Sequence, residues 1–165
     1  MLKFFILLNL FLSTSFAQDL RERIVESAEN FEANLDRTTL YGEVFRSPIT
    51  RDGKLACARV VQILLKQAGL PDFQEPLYLV NQIQHFTKDW ETISLDQVEA
   101  GDIIFWKRRF SNNTCKGGGD CHVGVAVNSV QSVDNKGKYK RPTISKINRR
   151  LGWKFLFAKR PPENL

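Results

Sequence analysis

The sequence predicts an α+β domain, with N-terminal helices packed on an antiparallel β-sheet. Apolar residues recur every three or four positions in the first half of the chain. From residue 102 onward, short β-rich runs alternate with turn signals instead. Helices first and strands second imply segregated layers rather than repeated βαβ units.

The 165 residues suit one domain, with no internal repeat and no linker. Residues 1–17 are set aside as a signal peptide. Lys3 supplies the charge, Phe4 to Leu12 is apolar except for Asn9, and Ser15 and Ala17 are small residues at positions −3 and −1. The run is short for a bilayer span. No Cys follows it to take a bacterial lipid anchor. Cleavage near Ala17 is expected to leave residues 18–165 as a single domain, secreted or periplasmic, without stable membrane insertion.

Leu20, Ile24, Ala28, Phe31 and Leu35 predict a helix over 18–36. Gly42, Pro48 and Asp52-Gly53 mark a loop over 37–56. A second helix runs from Cys57 to Ala68 on the stripe Val60, Val61, Leu64, Leu65 and Ala68. Lys66 lies in its last turn and Gly69 just beyond it. Leu77, Val80 and Ile83 suggest a third helix from Pro76 to Phe86. Strands are expected at Asp102–Trp106, His122–Val127, Val130–Asp134, Thr143–Ile147 and Trp153–Lys159, with Asn135-Lys136-Gly137 as a turn. Residues 107–121 form a polar, Gly-rich excursion, and Trp106 is expected in the core.

The chain carries a net charge of +6, and loss of Lys3 takes this to +5. Cations concentrate late, at Lys107, Arg108, Arg109, Lys136, Lys138, Lys140, Arg141, Arg149, Arg150, Lys159 and Arg160. Such a distribution serves as a solvated surface or attracts a polyanion such as an acidic envelope polymer or a membrane face. No nucleic-acid motif accompanies it.

Three cysteines, Cys57, Cys115 and Cys121, in an exported chain leave one thiol over. Cys115 and Cys121 bracket Lys116-Gly117-Gly118-Gly119-Asp120, and a loop-closing disulfide between them would leave Cys57 free. Pairing of Cys57 with either of the others would exclude it from catalysis. Zinc is a weaker alternative, because no Cys-x-x-Cys pair is present and His85 is badly placed; no metal or other cofactor is expected. The three glycines lack the Lys-Ser/Thr of a phosphate loop.

Cys57 opens its helix in Leu55-Ala56-Cys57-Ala58-Arg59. Unsatisfied N–H groups and the positive end of the helix dipole favour a thiolate there. An isolated Cys before an apolar helix is more often a buried structural thiol. His122 opens the strand His122-Val123-Gly124-Val125-Ala126-Val127, a rigid position from which a base can serve a nucleophile. His85, inside a predicted helix, is read as a surface or core residue.

The ordered set Cys57 with Gln67-Ala68-Gly69, then Ala100-Gly101-Asp102, then His122-Val123-Gly124 resembles NlpC-type papain-like cell-wall peptidases and the related cysteine, histidine-dependent amidohydrolases. The likeness covers about residues 40–160. It departs at Ala56 and Ala58-Arg59, where the family carries an acidic residue and a Ser-Gly pair, and at Ala100, where it carries Pro. The resemblance implies a papain-like fold with Cys57 as nucleophile and His122 as base. It also implies a polar group on the next strand to orient the imidazole. Counting onward places that group at Asp134, or second at Asn135, and strand alternation lets only one of them face the site. A Tyr lining the site corresponds to Tyr41.

The function expected is hydrolysis of amide bonds in peptidoglycan, as endopeptidase or amidase, or in another amide-containing envelope polymer. The alternatives are a non-catalytic cell-wall-binding module on the same scaffold, or an acyltransferase or hydrolase of another amide or thioester.

Overall fold

The computed structural model describes residues 19–31, 48–51, 55–70, 73, 76–110, 112, 115, 120–136, 141–148 and 152–163. The expected signal peptide and Tyr41 lie outside these residues. The architecture is α+β, with three helices against a six-stranded antiparallel open sheet. The helices are α1 (Leu20–Glu29), α2 (Cys57–Gln67) and α3 (Val80–Phe86). The strands are β1 (Glu91–Ile93), β2 (Ile103–Arg108), β3 (Cys121–Ala126), β4 (Gln131–Lys136), β5 (Arg141–Lys146) and β6 (Trp153–Arg160), in the order β1-β6-β2-β3-β4-β5.

α1 begins where Asp19 accepts the Arg21 N–H at 3.2 Å, capping one of the orphan donors of the first turn. It buries Leu20, Ile24 and Ala28. Its expected continuation toward residue 36 passes outside the described residues after Phe31. α2 buries Ala58, Val60, Val61, Ile63, Leu64 and Leu65, and is followed by Gly69 at φ +87°. That left-handed conformation suits a glycine past a helix end. Ser27 Oγ donates to Gln67 Oε1 at 2.9 Å and ties α1 to α2.

α3 starts four residues later than its apolar spacing suggests. The N–H groups of Tyr78 and Leu79 both go to Gln82 Oε1 at 2.9 Å, and that of Leu77 goes to Gln62 Oε1 at 2.7 Å. The segment before Val80 is therefore extended and held by side chains rather than coiled.

The sheet has an apolar layer on each face. Ile103, Phe105, Val123, Val125 and Val133 meet the helices. Ile104, Trp106, Ala126 and Ala158 join Ile93, Val98 and Ile147 on the other side. Trp106 lies in this second core, where its indole N–H donates to the Ile147 carbonyl at 2.9 Å.

Other elements also differ from expectation. Asn135 and Lys136 are not a turn but the end of β4, paired with Pro142 and Arg141. Cross-strand pairing outweighs their local turn preference. β1 and the short 3₁₀ helix Leu95–Gln97 were not foreseen, and β6 returns to lie between β1 and β2.

Gly101-Asp102 anchors the start of β2. Gly101 adopts φ +87°, and a Cβ there would lie 2.9 Å from Arg21 Cβ. The buried Asp102 carboxylate accepts the Glu99 N–H at 2.9 Å and both Nε and Nη2 of Arg160 at 3.1 and 3.0 Å. The motif thus seats α1 against the sheet.

Candidate functional site

Cys57 is the first residue of α2, behind an Ala56 that has no side chain able to cap. The first-turn N–H groups stay available to the thiol. Ala56 and Ala58 are fully buried, so an acidic or hydroxyl side chain at either position would enter the core. Cys57 itself is half-buried and is the free cysteine among the described residues.

Packing of α2 on β3 and β4 carries Cys57 to the start of β3. The β3–β4 ladder pairs Ala126 with Ser132, Val125 with Val133 and Gly124 with Asp134. Val123 lies one residue beyond, where β4 continues with β5, and its N–H goes to the Cys57 thiol. The thiol also takes the Ala58 N–H and a hydrogen bond with the His122 side chain. Burial pushes the thiol pKa up. The His122 charge, its hydrogen bond and the two backbone donors outweigh that, and the net shift is downward. A lowered pKa favours the thiolate, which is the nucleophilic form.

His122 Nε2 lies 3.3 Å from Asp134 Oδ1, with the two side chains 7% and 0% exposed. With Nε2 engaged by Asp134, Nδ1 is the ring nitrogen left to face the thiol. The imidazole is flanked by Trp106 and Trp153, at centroid distances of 5.7 and 5.3 Å. These indoles shield the His122–Asp134 contact, and low dielectric strengthens it. Ser145 Oγ donates to Asp134 Oδ2, fixing the carboxylate from β5.

The structure therefore brings Cys57, His122 and Asp134 together. Asn135 is also buried, but strand alternation sends its side chain to the opposite face from Asp134, away from the imidazole's Nε2. Of the two residues, Asp134 is the one whose carboxylate lies beside the imidazole. His85 is exposed on α3, away from this cluster.

Gly124 makes the arrangement possible. It sits opposite Asp134 and two residues from His122, and a Cβ there would lie 2.7 Å from the Val133 carbonyl oxygen and 2.8 Å from Asp134 Cβ. Ser145 and Trp153 had no signal in the sequence. Their proximity follows from the β4–β5 and β2–β6 registers, where Ser145 opposes Ser132 and Trp153 opposes Arg108.

Cys115 and Cys121 form a disulfide with a Cα–Cα separation of 5.5 Å, immediately before His122. Among the described residues, no group of three or more His, Cys, Asp and Glu is placed to hold a metal ion, and no helix is long and apolar enough to cross a membrane. No protein-family model, curated protein or solved structure matches the chain.

Proposed function

We propose that the protein is a papain-like cysteine hydrolase of the NlpC type that cleaves amide bonds, with peptidoglycan as the polymer attacked. The observation that carries this reading is the Cys57 thiol at a helix N-terminus, hydrogen-bonded to a buried His122 that is itself held by Asp134.

In the proposed reaction His122 takes the Cys57 proton and the thiolate attacks the amide carbonyl carbon. The carbonyl π electrons move to oxygen, where the Cys57 N–H and a further donor of the helix start receive the charge. Collapse breaks the C–N bond, and His122 delivers its proton to the leaving amine. Water, deprotonated by His122, then attacks the thioester and releases the acid and the thiol. Asp134 keeps the imidazole in the tautomer this cycle needs.

The disulfide suits an exported protein, since such bonds persist in oxidising compartments. Incubation of the protein with purified cell wall, followed by mass analysis of released fragments, tests the assignment. The expected result is new amine and carboxyl ends from the wild type and none from Cys57→Ala. Equal release by both proteins would remove Cys57 from the mechanism. No release from any wall type would remove peptidoglycan as the substrate.

A further inference from the structure

Several of the late cations, among the described residues, lie at one end of the sheet. β3 begins at Cys121-His122, and the strands beside it bring basic residues to the same end. β2 contributes Lys107, opposite Cys121, and β6 contributes Lys154, opposite Lys107. β4 ends at Lys136, whose register partner on β5 is Arg141. Arg109 follows β2 in the adjoining turn and is exposed.

The like-charged Lys107 and Lys154 thus stand directly opposite each other on neighbouring strands, an arrangement that destabilises a sheet. No carboxylate among the described residues pairs with Lys107, Arg109, Lys136 or Lys154. The acid nearest this end, Asp120, is engaged by Arg108 at 3.4 Å, and Asp134 by His122. At the other end of the sheet two of the late cations, Lys159 and Arg160, are held. Arg160 pairs with Asp102 and Glu99, and Lys159 donates to the carbonyls of Lys88 and Trp90 and to Thr92 Oγ1.

We infer that the cationic end of the sheet is a binding track for an extended, carboxylate-bearing polymer that crosses the Cys57–His122 site. From β6 to β4 the track covers three strand spacings, about 14 Å, which an extended chain of about four residues spans. Alternation along the strands puts Lys107 and Lys154 on the helix face and Lys136 on the other, so both lips of the site are charged. A linear chain can touch both lips while its backbone passes over the half-buried thiol. The unneutralised repulsion is relieved when such a chain binds. The inference rests on the hydrolase reading in one respect: an amide-containing substrate has its anions in carboxylates rather than phosphodiesters.

Anisotropy of labelled poly-L-glutamate, titrated with wild type at low and raised salt, tests the track without turnover. Lys136→Glu/Lys154→Glu makes the Lys107–Lys154 pair attractive and reverses the charge at the end of β4. Its melting temperature should be unchanged or higher, while affinity falls about tenfold or more and loses much of its salt dependence. Lys88→Glu/Lys146→Glu makes the same charge change elsewhere and should weaken binding by less than about twofold. If the first double variant melts early, the single neutralisation Lys107→Gln gives the same reading.

Equal losses in the two double variants would reduce the effect to bulk charge and overturn the track. So would absence of poly-L-glutamate binding, or tighter binding to polyphosphate or to anionic phospholipid vesicles. If Cys57 proves chemically inert while the rim variants alone lose binding, the hydrolase reading falls and the polyanion track stands.

Discussion

Asp134 reaches His122 diagonally across the β3–β4 pair, its Oδ1 3.3 Å from Nε2, while its direct register partner is Gly124. A carboxylate can lean along the strand in this way only because the intervening residue has no side chain. The His-Val-Gly run therefore encodes both the imidazole and the room for the carboxylate beside it.

Gly124→Ala should separate these two roles of the motif. The added Cβ meets backbone at 2.7 Å and Asp134 Cβ at 2.8 Å, and neither is the free end of a flexible side chain. Overpacking of this kind costs about 1–3 kcal/mol. Thermal melting should show that loss, and alkylation of Cys57 at neutral pH should slow as Asp134 is displaced. A variant with wild-type stability and reactivity would contradict the geometry.

Asp134→Asn keeps the shape and removes the negative charge beside the imidazole. The His122 cation then loses its partner and supports the thiolate less. The midpoint of Cys57 alkylation against pH should rise by about one unit, equivalent to about 1.4 kcal/mol. Asn135→Ala should leave this midpoint in place, since its side chain faces away from Nε2.

Ser145→Ala withdraws the hydroxyl that holds Asp134 Oδ2. Hydrogen bonds to charged groups are worth about 1.5–3 kcal/mol. The alkylation midpoint should move in the same direction as in Asp134→Asn, and Ser145→Thr should restore it. A loss of stability without any change in the pH profile would make Ser145 a packing residue only.

The lowered Cys57 pKa also ties stability to pH. In the folded protein the thiol ionises below its ordinary value, so folding favours the anion. This contribution is absent below the folded pKa, grows as pH rises through it, and is complete above the ordinary thiol value of about 8.5. The difference in unfolding free energy between wild type and Cys57→Ala should increase between neutral pH and that value. Denaturant titrations at several pH values measure it, and a constant difference would argue against a thiolate in the native state.

The Cys115–Cys121 bond closes a short loop whose end is the residue before His122. By chain entropy it contributes about 2 kcal/mol. Cys115→Ala/Cys121→Ala should melt earlier and, with the start of β3 less constrained, should show slower Cys57 alkylation than wild type in the absence of reductant.

Several features were legible in the sequence because their causes are local. The apolar stripe from Val60 to Ala68, followed by Gly69, defines α2 and puts Cys57 at its first turn. The short apolar run after Gly101 and the β-rich run from His122 define β2 and β3, and Cys115 and Cys121 lie close enough in sequence to leave Cys57 as the odd thiol. Tertiary structure decided what depends on register. Asp134 rather than Asn135 faces His122 because a one-residue step along β4 changes face. β5 brings Ser145 to Asp134, and β6 brings Trp153 to the imidazole, only through pairing between distant segments. It also carried Asn135 and Lys136 into a strand against their turn chemistry. The positions of Cys57 at a helix start and of His122 at a strand start could be read from local pattern. The choice between Asp134 and Asn135, the hydroxyl donor and the aromatic walls could not, because no local pattern states which strands lie side by side or at what offset.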